Sequence, residues 1–223
     1  MKKLIIMLCA VVMGLNSMLA QNETTENLQW EAVVGVNNSD MGDMGDKIGF
    51  HLGARAEIAL PSVADGVYMN AGALISLKGC ELDMGDLGGA KTNAYYLEIP
   101  IHIGYKHIVN ENLSIYGEVG PYIAYGIGGK TEATEVDFDM DYDYEVTTNK
   151  SNTFGSDGMK RFDIGAGLRF GVEIKNKYTL SIGYDKGFID TYNSSDDSDD
   201  EYTIDLTPSL KNTNLTFSFG YRF

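Results

Sequence analysis

From residue 28 onward the sequence alternates between apolar and polar side chains with a period of two. It does so in eight segments, over 28–36, 48–60, 67–78, 95–107, 113–128, 162–174, 178–187 and 214–223. Period two is the repeat of a β-strand, whose successive side chains point to opposite faces. One parity carries Trp30, Val34, Phe50, Leu52, Ile75, Leu97, Ile101, Val119, Ile123, Leu168, Phe170, Ile182, Phe217 and Phe219. Not one position of that parity is charged, although 22% of the chain is. The other parity carries Glu31, His51, Arg55, Glu57, Lys78, Glu98, His102, Lys106, Glu118, Asp163, Arg169, Glu173, Asp185 and Arg222, interleaved with glycines such as Gly35, Gly104 and Gly165. The chain is all-β, with no room in the pattern for a helical bundle.

Alternation alone does not say which face points outward. A soluble barrel puts apolar side chains inside, and a membrane barrel puts them against lipid. Volume decides. Eight strands enclose a space just wide enough for side chains to fill. A face so rich in Phe, Tyr, Ile and Leu overfills it, whereas glycines alternating with seven acidic and five basic groups fit and can pair. The reading is therefore a closed, eight-stranded antiparallel transmembrane β-barrel with its apolar face in lipid. Aromatics gather at the strand ends, Trp30, Tyr105, Tyr178, Tyr221 and Phe223 at one rim and Phe50, Tyr95, Tyr125, Phe162 and Tyr184 at the other. Such girdles mark the two membrane interfaces.

The connections alternate as well. Residues 61–66, 108–112 and 175–177 are short turns, while 37–47, 79–94, 129–161 and 188–213 are longer and read as extracellular loops. Within these connections, residues 37–47, 79–93, 129–160 and 188–212 together carry the whole formal charge of −15. That acidity excludes nucleic acid as a partner, because phosphate must be met by clustered Lys and Arg. Pro100 and Pro121 fall inside strands, where each removes a ladder donor. The parity runs on across both, so gaps in the ladder are expected there and register shifts are not.

Residues 1–20 read as a signal peptide, with Lys2 and Lys3 before an apolar stretch from Leu4 to Leu15 that is too short to span a bilayer as a helix. The barrel domain is then 21–223. Cleavage leaves Cys80 as a lone thiol in the second long connection, and so no intrachain disulfide.

The run Tyr96-Leu97-Glu98-Ile99-Pro100 with Ile101-His102-Ile103-Gly104-Tyr105 resembles the YLEIP-type strand of a bacterial outer-membrane β-barrel domain family that includes PorT-like proteins of Bacteroidota. The strand count is similar to that of the OmpX- and OmpA-like small barrels. The final Tyr221-Arg222-Phe223 is similar to the aromatic C-terminal signal that such barrels present to their assembly machinery. The resemblance implies an outer-membrane location, with outer-membrane lipid, lipopolysaccharide and the barrel assembly machinery (through Phe223) as partners. It brings no catalytic or cofactor residues with it.

Candidate sites are few. Asp137, Asp139, Asp141 and Asp143 alternate with Phe138, Met140 and Tyr142, and such a carboxylate row can take calcium. The row lacks the glycine of an EF-hand loop, and a hairpin extending beyond the membrane with one solvated acidic face is the preferred reading. Asp196, Asp197, Asp199, Asp200 and Glu201 form a second acidic cluster, open to divalent bridging or to plain solvation. The Met-Gly-Asp steps at 41–43, 44–46 and 84–86 suit turns. Glu31, His51, Arg55, Glu57, Glu98, His102, Glu118, Asp163, Arg169, Glu173 and Arg222 are expected to form a polar network inside the barrel, where charge is tolerated only when paired. No nucleophile sits beside a base in the sequence, so the expected role is non-enzymatic: structural, or surface binding through acidic loops. A small pore is the alternative, and a rim-sited lipid-modifying enzyme is a third reading. The extracellular ligand stays open, and no cofactor is called for beyond a divalent cation at the loops.

Overall fold

The computed structural model describes residues 28–42, 45–85, 88–138, 144–155, 158–191 and 211–223, with the backbone alone described at 135–138, 144 and 145. Nine strands run in chain order: β1 (Leu28–Met41), β2 (Lys47–Ala59), β3 (Val67–Asp83), β4 (Gly88–Asn110), β5 (Leu113–Phe138), β6 (Tyr144–Asn152), β7 (Phe162–Ile174), β8 (Tyr178–Gly187) and β9 (Asn212–Arg222). Every pairing is antiparallel. Eight strands close a ring, β1–β2–β3–β4–β5–β7–β8–β9, with β9 returning to β1. The ninth, β6, pairs with β5 alone and lies outside the ring.

Parity sorts the side chains as the alternation requires. Val34, Phe50, Leu52, Ile101, Ile103, Val119, Leu168, Phe170, Leu180 and Phe217 are exposed on the outer face. Glu31, His51, Arg55, Lys78, Glu98, His102, Glu118, Asp163, Arg169, Glu173 and Arg222 are buried in the lumen. The two prolines interrupt the ladder without shifting it. Pairing skips from Ala71↔Ile101 to Leu74↔Glu98 on one side of β4, and from Pro100↔Tyr122 to Ile103↔Val119 on the other. The one shift in the barrel wall at the long-connection end falls between Tyr95 and Tyr96, where β5 carries an extra residue between Gly126 and Gly128. That bulge turns the parity of β5 over for the rest of its length.

The short turns are as expected. In the last, Lys175 and Asn176 both take positive φ, 55° and 53°, and Lys177 N–H donates to the Ile174 carbonyl (3.1 Å). Two left-handed central residues match the right-handed twist of the flanking strands. At the opposite end Gly42, Gly45 and Gly85, the glycines of the three Met-Gly-Asp steps, also have positive φ.

The long connections depart from the loop expectation. Residues 79–83 and 88–94 continue β3 and β4, paired out to Asp83↔Gly89. Residues 129–138 continue β5, which pairs with β6 from Lys130↔Asn152 to Phe138↔Tyr144. A four-stranded arm, β3–β4–β5–β6, therefore stands beyond the barrel, and β5 alone runs on for roughly 35 Å past its bulge at about 3.3 Å per residue. The arm escaped the alternation signal because beyond the buried Cys80 and Ala94 both its faces meet water, so Thr, Asn, Glu and Lys satisfy each equally.

Candidate functional site

The lumen is built in tiers, each set by which inward residues the register brings to one level. At the end with the short turns, two bases alternate with two acids in a closed square. The Lys106 ammonium bridges Glu57 and Glu173 (2.9 Å to the latter), and the Arg222 guanidinium bridges the same two carboxylates (2.7 Å to Glu173). Arg222 also donates to the Gln29 side-chain oxygen (2.9 Å). Each charge has two opposite neighbours, which is the condition for burying it without large loss.

Above the square sits Glu118. It accepts hydrogen bonds from the Tyr68 hydroxyl (2.9 Å), the Asn70 amide (3.0 Å) and Arg169 (2.6 Å), and His102 Nδ1 lies 3.5 Å away. Arg55 faces Glu31 at 3.9 Å, and Thr179 donates its hydroxyl to Glu31. One level higher, the Lys78 ammonium meets Glu98 at 2.6 Å and lies 5.0 Å from the centre of the Tyr122 ring. On the facing wall His51 Nε2 and the Ser218 hydroxyl are 2.9 Å apart. Asp163 stands at the top of the ion-paired region and accepts from Asn212 (2.7 Å) and the Tyr122 hydroxyl (3.3 Å).

A plug closes the far mouth. Phe154, in the segment after β6, folds back over the barrel and meets Tyr96 edge-on, with ring centroids 5.4 Å apart at 86°. Met41, Cys80, Ala94, Tyr122 and Ala124 complete a small apolar cluster around it, with Met159 packed against its edge. The Phe154 ring occupies the space over Gly126, where a Cβ would fall 2.3 Å from it. Cys80, expected in a loop, is buried in this cluster within β3.

All eleven expected network residues thus face one enclosed lumen, though not as one connected web: His51 lies with Ser218, apart from the ion pairs. The network also reaches Lys78 and Lys106, and Asp185, which shares the lumen. Four inward tyrosines were not singled out from the sequence: Tyr68, Tyr96, Tyr116 and Tyr122. All four lie directly opposite a glycine, as Tyr68↔Gly104, Tyr96↔Gly126, Tyr116↔Gly171 and Tyr122↔Gly165. A Cβ on Gly104 would sit 2.3 Å from the Tyr68 ring, so the glycine makes the room that the aromatic fills. Parity was the available signal, since each tyrosine stands on the glycine face. Phe154 had none.

Of the carboxylate row, Asp139, Asp141 and Asp143 lie outside the described residues, as does the Asp137 side chain; the backbone on either side forms the β5–β6 hairpin. Asp196, Asp197, Asp199, Asp200 and Glu201 lie outside them too. No group of three or more His, Cys, Asp or Glu among the described residues is arranged to hold a metal. On the arm, Glu81, Lys91, Glu132 and Lys150 face one another in a row across four strands, with contacts of 3.0 Å for Lys91–Glu81 and 2.7 Å for Lys150–Glu132. The Lys150 ammonium holds the Glu132 carboxyl below its usual range.

Several solved barrels are similar at low identity. Ail, the attachment invasion locus protein of Yersinia pestis, is 12% identical over 88% of this chain and 97% of its own, with a TM-score of 0.41. A major outer membrane protein from Thermus thermophilus is 16% identical over 88% and 99%, with a TM-score of 0.45. The N-terminal β-barrel domain of Pseudomonas aeruginosa OprF is 10% identical over 86% and 97%, at 0.28. No curated protein matches the chain. The model of the outer membrane protein beta-barrel domain matches residues 19–193, more than three quarters of the sequence, and the chain belongs to that family of the bacterial outer membrane.

Proposed function

We propose that this outer-membrane barrel is a non-conducting, non-enzymatic anchor that displays its arm and acidic connections as a binding surface at the cell exterior. The observation that carries the reading is the filled lumen. Ion-paired tiers occupy its length and Phe154 stoppers the extracellular mouth, while the largest departure from a plain barrel is the arm beyond the membrane. Along the arm the Glu81–Lys91–Glu132–Lys150 row is internally paired, which stiffens a stalk and leaves the unbalanced acidity of the connections for a partner or for divalent bridging to lipopolysaccharide. Outer-membrane lipid, and the assembly machinery through Phe223, are the partners this reading implies.

The test has two parts. Purified protein in planar bilayers should show no stable unitary conductance, and cells carrying a version lacking residues 131–152 should lose adhesion to matrix proteins or lipopolysaccharide-coated surfaces. Stable conductance from the intact chain would favour the small pore instead. Adhesion that survives both this deletion and removal of 192–210 would leave the surface-binding reading without support.

A further inference from the structure

One stretch of the lipid-facing wall is hollowed. Across β7, β8, β9, β1 and β2 the register aligns Phe170, Ile182, Phe217, Val36 and Phe50 in one outward row. The inward row beside it is Gly171, Ser181, Ser218 and Gly35, with no side chain larger than a serine's. Little props the wall outward from the lumen there, and a groove of ≈ 940 Å³ lies on its outer side, floored by those four small residues and walled by Phe170, Phe217 and Phe50. His51, the network residue that stands apart from the ion pairs, backs the floor from within. Its ring covers Gly35, 2.5 Å from where a Cβ would fall, and its Nε2 is 2.9 Å from the Ser218 hydroxyl. A hollow of that size with almost wholly apolar walls suits a hydrocarbon chain.

Ring contacts lead from the groove down to the short turn at 175–177. Phe219, a lining residue, stacks on Tyr178 with centroids 6.2 Å apart, and Tyr178 meets Tyr221 at 5.7 Å. The Lys177 ammonium stands 5.6 Å from the centre of the Tyr221 ring. Lys175 shares the turn, and both lysines are exposed. Among the described residues neither has a carboxylate within 4.0 Å. Leu180 and Ile182, also in the groove, lie three and five positions beyond Lys177 on β8. At about 3.3 Å per residue and a tilt of about 40° that is roughly 8–13 Å in height, within the ~15 Å depth of one leaflet. The opposite rim has Lys186 on the same strand, but the connection that follows, 188–212, holds seven acids and one Lys and repels an anion.

We propose that this wall holds one anionic glycerophospholipid of the periplasmic leaflet, its phosphate at Lys175 and Lys177 and an acyl chain lying in the groove. Lysines just beyond the hydrocarbon attract anionic headgroups, and the Tyr178 and Tyr221 rings stand at the headgroup boundary between the two parts of the site. The site requires only that the barrel stand in the membrane and is independent of what the arm binds.

Native mass spectrometry of the folded full chain tests the proposal, with phosphatidylglycerol and phosphatidylcholine of matched chains supplied together in mild detergent. One phosphatidylglycerol should be retained over phosphatidylcholine by at least about fivefold (~1 kcal/mol). Lys175→Gln with Lys177→Gln should abolish that preference. Val34→Phe with Val36→Phe, which fills the groove from the lipid side and leaves the lumen untouched, should abolish retention of either lipid. Lys186→Gln should change nothing. Equal retention of the two lipids by the parent chain would overturn the proposal. So would a preference that survives either double substitution, or one that depends on Lys186 instead. Binding of glycerol phosphate alone with the same affinity would overturn it too, since the groove would then contribute nothing.

Discussion

The periplasmic and extracellular halves of the lumen are filled by opposite means. Next to the short turns the filling is electrostatic and closed on itself: Glu57, Glu173, Lys106 and Arg222 satisfy one another in a square. Next to the arm it is aromatic and apolar, with Phe154 and Tyr96 packed over Ala94, Ala124 and Met41. The lower half gains by geometry, because four inward residues from β2, β4, β7 and β9 converge at one level. The upper half gains by burial, because the segment after β6 brings an apolar side chain back from outside the membrane. A charge square fails when any corner is lost, whereas a plug fails gradually.

The largest effect expected from this contrast is at a corner of the square. Arg222→Leu leaves Glu57 and Glu173 held by Lys106 alone, and breaking a buried pair in this way costs about 3–5 kcal/mol. Denaturant unfolding in lipid vesicles should show that loss, and Glu57→Gln in the same chain should recover part of it by removing one of the stranded charges. Phe154→Ala should fall at the low end of the same range, about 3 kcal/mol, because the ring lies at the mouth and its site can partly collapse. Its sharper readout is the Cys80 thiol, buried in the same cluster, which should become open to a water-soluble maleimide that leaves the parent unmodified. Gly104→Val drives a side chain into the Tyr68 ring, and overpacking of that kind costs roughly 1–3 kcal/mol. Pairing it with Tyr68→Ala should restore stability, and failure to do so would locate the strain in the backbone.

The smallest effect belongs to the arm. Glu132 is held below its ordinary pKa by Lys150, so this contact stabilises the folded hairpin above the usual glutamate range. It is lost as pH falls through the depressed value. Hydrogen exchange of β6 amides should accelerate in acid and respond to Lys150→Met, while the barrel amides stay protected. A uniform response of both regions would show that arm and barrel open as one unit.

Much of this was readable in the alternation. Strand parity is a property of each residue and its neighbours, so Glu31, His102 or Arg169 could be placed inside the barrel without knowing any partner. The ladder gaps at Pro100 and Pro121 could be foreseen for the same reason, since parity on either side of each proline agrees. The extent of β3 to β6 could not, because the apolar half of the pattern stops where lipid stops while the hydrogen-bonded ladder continues. Phe154 was equally hidden: a lone aromatic in a polar stretch carries no periodicity, and only the fold-back of its segment brings it to Gly126.

The sequence by itself determined the strand class, the number of strands in the wall and which side of each faces lipid, because all three follow from a local repeat under a volume limit. Which inward groups meet was decided only by the tertiary structure. Arg222 in the last strand reaches Glu57 in the second because β9 closes against β1, and Asn212 reaches Asp163 across the bare position of Gly187. Closure and stagger are collective properties of the whole ring, fixed by every pairing at once.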